Sequence, residues 1–127
     1  RKHERLVIED RPLWAAAYAK AICSFDICLG FLNKKNRDLQ TRRTVEIPAC
    51  QGFLLAERTS EQLGLFEEGK EAEFFGSKEE LLRKIKYYLS HPEERNRIAL
   101  AGRERCVRSG YSNQEALKPA LAQVFEC

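Results

Sequence analysis

Apolar positions from residue 14 to residue 25 recur at the spacing of one helix face. Trp14, Tyr18, Ala21, Ile22 and Phe25 lie three to four residues apart, as a 3.6-residue turn requires, and the alanines between them add helix propensity. Residues 26–32 (DICLGFL) form a short apolar run of the length expected of a buried strand. Polarity then takes over in 33–43 (NKKNRDLQTRR), which predicts a loop with almost no apolar anchor. A short helix is expected at about 45–50, because Pro48 is tolerated in a first turn and not further in. Beyond Gly52, Phe53 to Ala56 predicts a second buried strand, Ser60 to Phe66 a helical turn, and Ala72 to Phe75 a third strand.

The remaining pattern is helical. Ser77-Lys78-Glu79-Glu80 has the form of a capping box, in which the serine accepts from the backbone and the glutamate reaches back. The helix it opens carries Leu81, Leu82, Ile85, Tyr88 and Leu89 on one face. His91-Pro92-Glu93-Glu94 opens the next, with proline at the first position and acids in the first turn. That helix runs to about Arg108, and Gly110 suits the residue just past its end. A last segment aligns Leu117, Leu121, Val124 and Phe125, with Pro119 delaying or kinking its start. Short apolar strands alternating with helices predict an α/β fold with a short, buried parallel sheet and C-terminal helices. Three strands are few for a complete doubly wound sheet, so further strands are expected upstream of Arg1.

Composition narrows the class. At 127 residues, residues 1–127 form a single domain, and 43% hydrophobic against 32% charged residues is the balance of a globular chain. The chain holds no methionine, so a piece of a longer protein is expected. No apolar run reaches the length of a membrane span and no leader pattern opens the chain, which with five cysteines lacking CxxC spacing predicts a cytoplasmic protein with reduced, structural thiols. The net charge of +3 comes from 22 basic and 19 acidic residues mixed along the chain. No basic face is concentrated enough for nucleic acid. His3 and His91 have no partner at metal-ligand spacing, so neither a metal nor a cofactor is expected.

Ligands of open α/β sheets bind beyond the carboxyl ends of the strands. The loop after the first strand holds Asn36, Arg37, Asp38, Thr41, Arg42, Arg43 and Thr44 and leads to Glu46, expected in the first turn of the short helix. Backbone N–H groups at a helix start, beside arginines, suit a diphosphate, and a carboxylate one turn away can accept from the vicinal hydroxyls of a ribose. The same residues also fit a solvated loop with a helix-dipole glutamate.

Asp38 and Glu46 are separated by seven residues, LQTRRTV. This D-x7-E resembles the E-x7-E signature of retaining GT-B glycosyltransferases. The stretch FLNKKNRDLQTRRTVEIPACQGFLLAERT, continued in order by LFEEGKEAEFFGSKEELLRKIKYYLSHPEERNRIALAGRERC, is similar to the C-terminal glycosyltransferase group 1 domain of spore maturation protein CgeB-like proteins. The resemblance covers roughly Trp14 to Val107, and RTVEIPACQGFLLAERT is its specific centre. It implies half of a GT-B fold, a Rossmann-like three-layer C-terminal domain holding a nucleotide-diphosphate sugar for transfer to an acceptor, with a missing N-terminal domain as its partner and no turnover by this half alone. On that implication Glu46 binds the donor ribose, Asp38 faces the transferred sugar, Arg43 and Thr44 lie near the diphosphate, and the loop with Arg58 and Thr59 closes over the donor. The chain departs from the family in lacking the glycine pair of that loop, and in having Gln51-Gly52 where the family commonly has two glycines. The alternative is a nucleotide-binding or protein-interaction module without transferase activity. A DNA-binding helical module over residues 95–117 is disfavoured because its arginines alternate with glutamates.

Overall fold

The computed structural model describes residues 15–32 and 42–110. The elements run α1 (Ala15–Ser24), β1 (Cys28–Gly30), α2 (Arg42–Ala49), β2 (Leu54–Glu57), α3 (Ser60–Leu65), β3 (Glu73–Phe75), α4 (Lys78–Ser90) and α5 (Pro92–Ser109). The three strands form one parallel sheet in the order β1-β2-β3. Cys28 is in register with Leu54, and Leu55 with Glu73. Residues 1–14, 33–41 and 111–127, among them Trp14, Asp38, Thr41, Pro119 and the apolar stripe from Leu117, lie outside the described residues.

Side chains of a strand point alternately to the two faces of a sheet, and here both faces are covered. On one face Cys28, Leu54, Ala56 and Phe74 pack with Ala19 and Ile22 of α1, Ile47, Ala49 and Cys50 of the α2 region, and Cys106 of α5. On the other, Phe53, Leu55 and Phe75 pack with Tyr88 of α4 and with Ile98 and Ala99 of α5. The result is the expected Rossmann-like α/β layering, helices over both faces of a short parallel sheet. The helix α5 serves both faces, passing the amino end of β3. A Cβ on Gly102 would stand 2.4 Å from the Glu71 carbonyl oxygen and 3.3 Å from Cβ of Pro48, so only glycine permits this crossing.

Several boundaries differ from the pattern. The helix α2 begins at Arg42, not Val45, and Pro48 lies in its last turn and is fully buried. Proline ends the run instead of starting it. Gln51 takes a left-handed φ of 59°, Gln51 N–H bonds to the Pro48 carbonyl at 2.8 Å and Gly52 N–H to Ile47 at 2.9 Å. This is the two-bond Schellman closure, and the left-handed position falls on the first residue of Gln51-Gly52, where a glycine would carry no steric cost. In α4, Leu82 and Leu89 face outward, and Lys84 is buried in the stripe's place. The capping box is present, with Ser77 Oγ accepting from Glu80 N–H, but Glu80 reaches back to the N–H of Gly76, one residue before the cap. Among the aromatic side chains, Phe74, Phe75 and Tyr88 are buried, whereas Phe25 and Tyr87 are exposed. Cys28, Cys50 and Cys106 are buried free thiols and Cys23 is an exposed one. Burial pushes Cys28 up to about 11 and Cys106 up to about 12, which keeps both protonated and unreactive.

The crossing at Gly102 sets a stability test. Gly102→Ala meets backbone at 2.4 Å and forces it to shift, which places the overpacking cost at the upper end of about 1–3 kcal/mol, against a helix-propensity gain of about 1 kcal/mol; urea unfolding should show a net loss of up to about 2 kcal/mol. At Gly64 in α3 nothing lies within 4 Å of an added Cβ, so Gly64→Ala should instead be neutral or stabilising.

Candidate functional site

The amino end of α2 and the carboxyl end of β2 meet in a buried polar cluster. Gln62 of α3 is fully buried. Its Oε1 accepts from the hydroxyl of Thr44, also buried, at 2.6 Å, and its Nε2 donates to the carbonyl of Glu57. Its own N–H is taken by Thr59 Oγ1 at 3.1 Å, which makes Thr59 the N-cap of α3. Glu57, at the last position of β2, accepts the N–H of Leu32 at 3.0 Å. One side chain therefore ties the start of α2 to the end of the central strand, and another anchors the segment leaving β1.

Glu46 lies one turn inside α2, since the helix opens at Arg42. It is half-buried and its carboxylate lies near the phenol of Tyr18 on α1. Burial first, and then the Glu46 carboxylate, push the phenol well above its ordinary value, against a smaller opposing pull from Arg43. Arg43 itself is exposed at the helix start. Together the first turn of α2 offers outward-facing N–H groups with partial positive charge, a cationic side chain, and a carboxylate on the next turn.

A second cluster flanks it. Arg58 follows β2 directly and its guanidinium is gripped from two sides: Nε and Nη2 donate to Glu68 at 2.8 and 2.7 Å, while Nη1 and Nη2 donate to Glu80 at 3.0 and 2.8 Å. Nη2 also reaches the Phe74 carbonyl at 3.2 Å. Gly76 leaves room for it, because a Cβ there would stand 3.1 Å from Nη1. Lys84 extends the network, bonding Glu68 and Glu73 at 3.1 Å each, and Tyr88 donates to Glu73 at 2.5 Å.

A family model described as glycosyl transferase-like matches residues 2–122. The chain belongs to this glycosyl transferase-like family. No curated protein and no solved structure matches it. The reaction class that goes with the family is glycosyl transfer, with a sugar donor as the partner it calls for. Among the described residues no helix is long and apolar enough to cross a membrane.

Within this glycosyl transferase-like chain, the structure brings Thr44 and Thr59 together through Gln62 and sets Arg43 and Glu46 on the same short helix. Asp38 lies outside the described residues. Arg58 has four bonds to carboxylates, and Thr44 and Thr59 have hydroxyls engaged inside the fold, so these three side chains hold the loop and helix in place. The pattern of the sequence passed over Gln62, took Tyr18 only as a helix-face position, and placed Glu57 in the loop that leaves the second strand. Tyr18 sits at a helical core spacing, and Gln62 has the composition of any exposed helix; only Glu57, a carboxylate at the last position of an apolar strand, carried a legible signal.

The Arg58 network sets a pH test. Glu80 is held down to about 2 by Arg58 first and then by the Gly76 N–H, and Glu68 is lowered mainly by Arg58. In the unfolded chain glutamate titrates near ~4.3. The folded state thus keeps both ionised where the unfolded chain has bound protons, so their contribution is full above about pH 4.3 and is lost as pH falls toward 2. Urea midpoints measured from pH 6 to 2.5 should fall along that window. Arg58→Met should flatten the slope and lower stability at neutral pH by about 1–3 kcal/mol, between the exposed and buried limits for an ion pair.

Proposed function

We propose that the chain is the donor-binding, C-terminal domain of a two-domain GT-B-type glycosyltransferase of the CgeB-like kind, taking a nucleotide-diphosphate sugar at the carboxyl ends of its parallel strands. The observation that carries this reading is the placement of α2. Its amino end, with Arg43 and the backbone of Thr44, opens at the carboxyl end of the sheet, where a diphosphate meets N–H groups and positive charge. Glu46 follows at the distance of one turn, with a carboxylate for the hydroxyls of the donor ribose. Asp38 faces the transferred sugar. Thr59 and Arg58 serve the site through the loop between β2 and α3, which the capping bond and the carboxylate fork hold in one shape.

In such an enzyme the donor domain orients the leaving diphosphate, and the other domain supplies the acceptor. Transfer needs both in near-attack geometry, a contribution of roughly 7–11 kcal/mol that one half does not provide alone. The protein's own positive groups stabilise the charge on the departing diphosphate.

Two measurements on the full-length protein test this. Calorimetric titration with UDP-, GDP- and TDP-sugars should give a donor dissociation constant that Glu46→Gln raises about tenfold or more, the size of a lost charged hydrogen bond at roughly 1.5–3 kcal/mol. The melting temperature should hardly move, because Glu46 is only half-buried and Gln keeps its size. Unchanged affinity with a large loss of melting temperature would make Glu46 structural. Donor binding without any transfer would favour a non-catalytic nucleotide-binding module. Transfer itself should survive chelation, since the diphosphate site is built from a helix start and arginine; loss in EDTA restored by manganese or magnesium would count against it.

A further inference from the structure

The start of α2 lies at the carboxyl end of the sheet, on the face that α1 and α2 cover. A cavity of about 380 Å³ opens on the other face and at the other end, between the second half of α4, the first turn of α5 and the amino end of β3. Its size is within the ~300–1,000 Å³ of small-molecule pockets. Glu73, Arg83, Lys84, Tyr87, Tyr88 and Glu94 line it. Residues 83, 84, 87 and 88 reach it together because positions three and four apart share one side of a helix. Glu73 reaches it from the sheet, being in register with Leu55 and so turned toward α4.

The buried side chains Glu73, Lys84 and Tyr88 make the floor. Lys84 spends its three donors on Glu68 and Glu73 at 3.1 Å each and on the Phe74 carbonyl at 2.7 Å. Glu73 accepts from Lys84 on one oxygen and from Tyr88 on the other, which uses two of its about four lone-pair sites. At the rim Tyr87 is 43% exposed, yet it is held from three directions. The His91 ring stacks on it at 4.0 Å, the Tyr88 ring meets it nearly perpendicular at 4.9 Å, and its hydroxyl donates to Glu94 at 2.5 Å. A ring fixed in this way needs no further ordering when a ligand arrives. Arg83, also exposed, meets Glu80 at 3.8 Å, beyond hydrogen-bond range, so its donors are unspent.

The charges of the lining are already matched: Glu73 with Lys84 at 3.1 Å, Arg83 with Glu80 at 3.8 Å, and Glu94 with Arg97 at 3.6 Å. An ionic ligand finds no unbalanced charge to pair with, and a phosphate would face two carboxylates. An apolar ligand would strip water from charged walls without replacing its bonds. The lining suits an uncharged molecule that accepts from Arg83, donates to Glu73 and Glu94, and lays an apolar surface against a tyrosine. A pyranose has this chemistry, with hydroxyls around its rim and C–H groups on its faces. We propose that the cavity binds a pyranose unit of a neutral glycan, apart from the donor site. Glycosyl transfer, the reaction class of the family, brings the chain together with such glycans. The proposal does not rest on the assignment of Glu46.

Saturation-transfer NMR on the full-length protein tests it, with maltotriose, cellotriose and chitotriose as neutral probes, glucose against glucose 6-phosphate as a charge control, and UDP as competitor. At least one trisaccharide should receive saturation at millimolar concentration and keep it when UDP is added. Tyr87→Ala should weaken that binding about tenfold, the scale of one aromatic contact. Arg83→Ala should weaken it about three- to tenfold through lost hydrogen bonds. Tyr87→Phe keeps the ring and should retain most of the affinity. The melting temperature should hold in all three variants, because both side chains are exposed. Absence of transfer to all three trisaccharides would overturn the proposal. Binding that both Tyr87→Ala and Arg83→Ala leave intact would place the sugar elsewhere and overturn it too. Displacement by UDP would assign the sugar to the donor site, and tighter binding of glucose 6-phosphate than of glucose would refute the neutral ligand class; either result sinks the idea.

Discussion

The side chain of Gln62 is fully buried, with its oxygen bonded to the hydroxyl of Thr44 and its nitrogen to the carbonyl of Glu57. A buried amide left without partners costs several kilocalories per mole, so this residue tolerates little displacement of either neighbour. The constraint runs outward from there. Thr44 fixes the first turn of α2, and Glu57 fixes the end of the central strand. Thr59, bonded to the N–H of the same glutamine, fixes the start of α3. Three consecutive elements, α2, β2 and α3, thus share one set of hydrogen bonds at the edge where a parallel sheet receives its ligands.

Arg58 imposes the second constraint, and its chemistry differs from that of the amide. A planar guanidinium matches two carboxylates at once, and it joins the segment after β2 to Glu68 and to Glu80 on α4. The loop between β2 and α3 is then held by a neutral buried bond on one side and by charge on the other. A loop so braced holds its backbone in one arrangement before any ligand arrives, which lowers the ordering cost of binding. It also explains how the loop manages without a glycine pair: its shape comes from side-chain anchors at Glu57, Arg58 and Thr59.

What was legible in the sequence is what depends on neighbours along the chain. The capping serine of α4, the proline opening α5 and Gly110 beyond its end are local chemistry, and each sits where the pattern places it. The strands were legible as apolar runs, although the first is shorter than its run because only Cys28 to Gly30 find a partner in β2. The pattern failed where tertiary contacts override local preference. A lysine in the middle of α4 reads as solvent-facing, yet Lys84 is buried because Glu68 and Glu73 arrive from elsewhere in the fold. Tyr18 reads as a core aromatic, yet it is only half-buried, with the Glu46 carboxylate of α2 near its phenol. An arginine beside a candidate site reads as a ligand contact until the carboxylates that surround it are known.

Pro48 shows how such an override reaches the site itself. A helix of eight residues is about 12 Å long, so whatever fixes its last turn also fixes its first. In α2 the last turn is set by Pro48, packed against α5 at Gly102, and by the two backbone bonds that close the helix over Gln51 and Gly52. The proline that should have delayed the helix instead fills the contact where α5 passes the amino end of β3. Arg105 and Arg108 hold that crossing further by pairing with Glu71 at 3.2 and 3.8 Å. The axial position of Arg43, Thr44 and Glu46 is therefore determined from both ends: by Gln62 beside them, and by a close approach at the opposite edge of the sheet that admits no side chain on α5.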